Sequence, residues 1–131
     1  MSTAKTVALN ESDLTPTTSY AAVVSGTIDA SRRDGAGLGF LIDAPAGCTG
    51  LTFKVQVQIN DEWVDLYRND SGTFVLEEYT IPLVADTTDQ RRAIRLLLDS
   101  IRDARLLFKG VGAGCTIREI HITAEQDYIK D

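Results

Sequence analysis

The sequence predicts an all-β fold, an antiparallel β-sandwich, and three observations carry that expectation. Apolar residues alternate with polar ones in several short runs, the period of a strand with one buried face. The runs are rich in β-branched and aromatic residues, which fit a pleated, half-buried surface. Clusters of Gly, Asn, Asp and Ser separate them at roughly regular spacing, the pattern of a sandwich.

In chain order, residues 1–19, "MSTAKTVALNESDLTPTTS", are Ser/Thr-rich and weakly patterned, and read as an extended N-terminal arm. Residues 20–125 read as the sandwich domain and residues 126–131 as a C-terminal tail. Tyr20 to Ile28, "YAAVVSGTI", is β-branched, and Gly37 to Ile42, "GLGFLI", is a short apolar run closed by Ala44-Pro45. The clearest element is "LTFKVQVQI", residues 51–59: Leu51, Phe53, Val55, Val57 and Ile59 alternate with Thr52, Lys54, Gln56 and Gln58. Phe53, Val55 and Val57 are the expected core, with Trp63 or Leu66 packed near them. "NDE" turns the chain and "WVDLY" resumes the alternation, which makes a hairpin. "RNDSG", residues 68–72, is a second turn. "YTIPLV", residues 79–84, is an edge strand, because Pro82 has no N–H to give to a ladder. "TIREIHIT", residues 116–123, sets Arg118, Ile120 and Ile122 against Ile117, Glu119 and His121.

"QRRAIRLLLDSIRDARLLFKG", residues 90–110, reads two ways. On a helical wheel Arg91, Arg95, Arg102, Arg105 and Lys109 gather within about a quarter of the circle, but Leu98 falls inside that arc. As strands, Ile94, Leu96 and Leu98 share one face, and Ala104, Leu106 and Phe108 share another, joined by "DSIRD". The local pattern is balanced; the strand-rich context favours the second reading.

One hundred and thirty-one residues suit one domain that buries roughly two-thirds of its unfolded surface. A net charge of −6 argues against nucleic acid and against anionic membranes, both of which select clustered Lys and Arg. No run is long enough to be a transmembrane helix, and "MSTAKTVALN" lacks the apolar centre of a signal peptide. The expectation is a chain made in a cytoplasm, with neither nucleic acid nor membrane among its partners.

No constellation of residues announces a chemistry, so the expectation is no enzyme, no cofactor and no metal. Cys48 and Cys115, in "AGCTG" and "AGCTI", each precede a strand-like run and read as reduced buried thiols; a late disulfide in an exported particle is the alternative. Gly35, Gly37 and Gly39 do not have dinucleotide-loop spacing and read as a flexible turn entering a strand. His121 beside Glu119 reads as a surface histidine. Asp61-Glu62, Asn69-Asp70 and Asp86 with Asp89 could offer oxygens to calcium, but turn chemistry explains them without a metal. Trp63 and Tyr67, with Tyr79, are the residues available for an aromatic sugar platform, and a buried face explains the first two equally well.

Several stretches together are similar to a family of small tailed-bacteriophage virion proteins encoded among the head genes. Such proteins carry a run like "SGAID", a Pro-containing loop, a run like "LTFQVS-DG-W-DLYD-DG" and a later strand like "RYIRIRSG". The corresponding stretches here are Ser25-Gly26-Thr27-Ile28-Asp29, Ala44-Pro45-Ala46, "LTFKVQVQINDEWVDLYRNDSG" (residues 51–72) and "ARLLFKG" (residues 104–110). The likeness spans about residues 23–123; Gly47-Cys48 stands where a tryptophan commonly follows the loop, and "VGAGC" replaces a Gln-containing loop. It implies that "RAIRLLL" and "ARLLFKG" are two strands, and that the fold is a jelly-roll-like sandwich.

The resemblance also implies a function. The chain would be a structural virion protein on the capsid surface, decorating or cementing it by symmetric, multivalent contacts. Its partners would be the major capsid protein or other virion proteins, and a homo-oligomer, a trimer above all, would match the capsid's three-fold axes. The arm, with Val7, Leu9 and Leu14, would pack on a neighbouring subunit or on the shell. The alternatives are a head–tail or tail adaptor, a fibre-base component, or a carbohydrate-binding β-sandwich module.

Overall fold

The computed structural model describes residues 2–22, 28–29, 35–96 and 103–128. They contain twelve strands: β1 (Ser2–Leu14), β2 (Ala21–Ala22), β3 (Ile28–Asp29), β4 (Gly35–Ala44), β5 (Gly50–Ile59), β6 (Glu62–Asp65), β7 (Tyr67–Asp70), β8 (Thr73–Leu76), β9 (Glu78–Pro82), β10 (Thr87–Leu96), β11 (Asp103–Val111) and β12 (Thr116–Tyr128). Every pairing is antiparallel. The first sheet has the order β1-β12-β4-β10. The second has the order β2-β11-β5-β6, with β3 also on β11 and β9 also on β5. The strands β7 and β8 form a separate hairpin. The chain is all-β, a sandwich, and residues 91–96 and 103–110 are strands; the connection through residues 97–102 lies outside the described residues.

The core follows from alternation on four strands. Leu38, Phe40 and Ile42 of β4 and Ile117 and Ile120 of β12 face Leu51, Phe53 and Val55 of β5 and Leu106 and Phe108 of β11, all buried. Phe108 joins the sheets, with ring centroids 6.0 Å from Phe40 and 5.9 Å from Phe53. Val57 is half-buried and Ile59 exposed, because β5 runs out past the end of the core. Of the two expected partners of the β5 face, Leu66 packs on the core and Trp63 does not, since Trp63 pairs with Gln58 on the outer face. Strict alternation fails on β12: the register against β4 shifts between Ile117 and Glu119, so Arg118 is extra and both Ile117 and Ile120 turn inward.

Two tight turns set the hairpins. Asn60 and Asp61 have φ of 52° and 66° and link Ile59 to Glu62, the left-handed pair that a two-residue I′ turn needs. The second turn is narrower than "RNDSG" suggested. Tyr67–Asp70 is already strand, and only Ser71 (φ 53°) and Gly72 (φ 94°) turn.

Two further expectations are revised. Gly35, Gly37 and Gly39 lie within β4 itself, Gly37 and Gly39 paired on both sides and Gly35 with β12, rather than in a turn before it. The N-terminal segment is extended as expected, and its neighbour is its own chain: β1 runs along β12 from Ser2↔Tyr128 to Leu14↔Ile117, and Leu14 packs against the core.

Candidate functional site

Along one side of the sandwich the edge strand β9 of one sheet faces the edge strand β10 of the other. Between them lies a groove of about 710 Å³. Alternation explains its floor. Tyr79 and Ile81 of β9 stand opposite Phe53 and Leu51, and so point inward. Ile94 of β10 stands opposite Leu38 and does the same. Phe53, Ile81 and Ile94 make the apolar floor, while Arg68, Glu77 and Arg92 bring polar groups to it.

The two ends of the groove differ. At one end β10 places Gln90 and Arg92 on its inward face, opposite Ile42 and Phe40. The Gln90 amide donates to Val84 O at 2.9 Å and Thr87 O at 3.0 Å and accepts from Val84 N at 2.8 Å, so this buried polar group is satisfied. Arg92 Nε donates to Pro82 O at 3.0 Å, Nη1 to Arg91 O at 2.8 Å and Nη2 to Gln90 Oε1 at 3.0 Å. The bond to Pro82 ties β10 to the end of β9, and the other two stay within β10. At the other end Arg68 Nη1 meets Glu77 Oε1 at 2.9 Å, and the guanidinium lies 5.8 Å from the Tyr79 ring centre. Burial raises the Tyr79 phenol above its ordinary range, and its bond to Glu77 raises it further.

The outer face of the second sheet is a polar lattice. Tyr20 is flanked by Lys54 and Lys109, 4.7 Å and 4.6 Å from its ring centre, and its hydroxyl donates to Glu78. Asp65 accepts from Gln56 at 2.9 Å and pairs with Lys54 at 3.0 Å; the Gln56 bond first, then Lys54, hold its carboxyl below the usual range. Arg105 donates to Gln56 at 2.9 Å and stacks 4.6 Å over Trp63.

The residues singled out from sequence fall apart in space. Trp63 sits on the outer face under Arg105, whereas Tyr79 lines the groove on the inner face, so the two cannot form one platform. His121 and Glu119 are exposed neighbours 3.1 Å apart on the first sheet. Asp61 is a turn residue, and Asp89 accepts from Arg118. Among the described residues no three His, Cys, Asp or Glu side chains gather as metal ligands. Cys48 and Cys115 are free and buried, and they do lie together: burial first, then the charge and the hydrogen bond of Cys48, push the Cys115 thiol up to about 12. Their loops touch so closely that a Cβ on Gly112 (φ 81°) would lie 2.3 Å from Gly47 O.

Sequence reasoning passed over Phe74, which is 73% exposed. It pairs with Asn69 on the β7–β8 hairpin, and Tyr67, 55% exposed, pairs with Leu76 two places along. Tyr67 and Phe74 therefore share one face of the hairpin, the face opposite Arg68.

No protein-family model matches the chain, and no curated protein matches it. Solved structures do. The CBM22-1 xylan-binding domain from Paenibacillus barcinonensis Xyn10C is similar over 98% of this chain and 100% of its own, at 10% identity and a TM-score of 0.52. A carbohydrate-binding module from Cellvibrio mixtus lichenase 5A is similar over 96% and 98%, at 10% identity and a TM-score of 0.44. The SPBc2 prophage-derived protein YomS is similar over 96% and 95%, at 12% identity and a TM-score of 0.40. The xylan-binding domain shares the fold of this chain, a β-sandwich module.

Proposed function

We propose that the chain is a structural protein of a tailed-phage virion that decorates or cements the capsid, and that it is not an enzyme. The observation that carries this reading is the open side of the sandwich, a preformed groove with an apolar floor between two edge strands. Such a concave surface suits docking of another protein. The sequence likeness of residues 51–72 to head-gene proteins supplies the setting. Exposed Phe74 and Tyr67 add an aromatic anchor of the kind that concentrates binding energy at interfaces. The partners are the major capsid protein or other virion proteins. A homotrimer would multiply modest contacts, with avidity gains of about 10²–10⁴ where geometry allows simultaneous engagement.

The test is sedimentation with purified DNA-filled heads. A decorating protein pellets at high, saturable copy number, and Phe74→Ser with Tyr67→Ser, both at exposed positions, lowers that number while the domain stays folded. Absence from the pellet at saturating protein overturns the reading.

A second reading, a carbohydrate-binding module, is favoured by the paired exposure of Tyr67 and Phe74. Retardation in a xylan-containing gel that Phe74→Ser abolishes would establish it in place of capsid binding.

A further inference from the structure

We propose that the outer edge of β10 takes an extended acidic segment of a partner chain by strand addition. The inference rests on the docking reading above and names the chemistry of what docks.

The two edges beside the groove are not equivalent. β9 ends in Pro82, which has no N–H to offer an incoming strand. β10 keeps unbroken register with β4 from Gln90↔Ile42 to Leu96↔Ala36, with no proline, glycine or bulge. Seven regular residues present about 23 Å of edge. Among the described residues nothing pairs with its other side.

Charge selects the occupant. In a chain of net charge −6, this strand carries Arg91, Arg92 and Arg95. Arg91 and Arg95 stand on the exposed outer face, while Arg92 faces the groove. The three bonds of Arg92 go to two carbonyls and an amide, all neutral, and use three of the five N–H donors of a guanidinium. The plain alternative is that these arginines only guard an edge against aggregation. Guarding accounts for the rejection of a second β10, whose arginines would lie opposite their own kind. The same charges favour a strand with carboxylates facing Arg91 and Arg95 on one side, and with apolar residues over Ile94 on the other. A guarded edge and a selective one make different predictions.

The probe is a fluorescein-labelled ten-residue peptide of alternating Glu and Val, followed by fluorescence anisotropy on the full chain. Saturable binding is expected, with none for the Lys/Val counterpart. Arg91→Glu combined with Arg95→Glu should weaken it by roughly tenfold or more, at an unchanged circular dichroism spectrum. N-methylation of alternate peptide residues should abolish binding for one alternation and spare the other, since only alternate N–H groups face an added strand. No saturable binding, equal binding of both peptides, or indifference to both N-methyl sets overturns strand addition. Repeating the head sedimentation with the double variant separates the two readings. Heads that still bind a variant blind to the peptide retain the virion role and remove this edge from it. A wild-type chain that binds the peptide but not heads keeps the edge and loses the virion role.

Discussion

Phe53 is where the core and the groove meet. It is fully buried, its ring lies 5.9 Å from Phe108 and 5.6 Å from Tyr79, and it also forms part of the groove floor. Phe53→Ala should therefore cost about 3–5 kcal/mol, a large share of a domain's stability, read as a lower denaturant midpoint at an unchanged slope. An unchanged midpoint would place this ring outside the core. Cys115 makes a second prediction at this scale. Its thiol, pushed up to about 12 by burial and then by Cys48, stays protonated far above the ordinary thiol range, so the folded chain should resist iodoacetamide at pH 8 and react once unfolded. The unfolded thiol titrates near 9 while the folded one holds its proton, so this contribution is complete below about pH 9 and is lost as pH rises towards 12. Urea midpoints measured from pH 8 to 11 should fall, and fall less in Cys115→Ala. Rapid labelling of both thiols at pH 8 in the folded state would contradict the burial of the pair.

Hairpins respond to different chemistry from cores. Asp61 holds φ of 66° at the second place of a two-residue turn, where glycine is favoured, so Asp61→Gly should raise stability by a few tenths to about 1 kcal/mol. A lower thermal midpoint would argue against the I′ geometry. This turn and its strands were legible in the sequence, because "LTFKVQVQI" alternates over nine residues and "NDE" interrupts it. The pair of strands across residues 91–96 and 103–110 was legible only with context, since the spacing of Arg91, Arg95, Arg102, Arg105 and Lys109 also suits a helix. Three features were not legible, for physical reasons. The bulge at Arg118 breaks the period of two that the eye follows. The β7–β8 hairpin is short and exposed, so Phe74 sits in no buried pattern. The groove exists only because β9 and β10, distant partners of different sheets, end up edge to edge, and no local run of residues encodes that.

Over the whole molecule, the decisive question is what the first strand does. Its Ser/Thr-rich sequence suits a strand that, among the described residues, pairs with β12 alone, and that composition reads as an arm meant for another subunit. In the structure it closes β12, a strand of 13 residues that carries Ile117 and Ile120 into the core. Deleting residues 1–15 would strip one whole side of β12 of its hydrogen-bond partners and remove Leu14 from the core's flank. A long unpaired edge is a template for intermolecular pairing, and β12 has neither proline nor glycine to break it. Truncation should thus lower the thermal midpoint and make it depend on protein concentration, with larger species growing in light scattering as concentration rises. An arm that serves only another subunit would behave otherwise, leaving the thermal midpoint of the dilute domain untouched and changing only its association. Measuring both the midpoint and the scattering at two concentrations tells these apart, because only loss of an intramolecular strand moves the first while promoting the second.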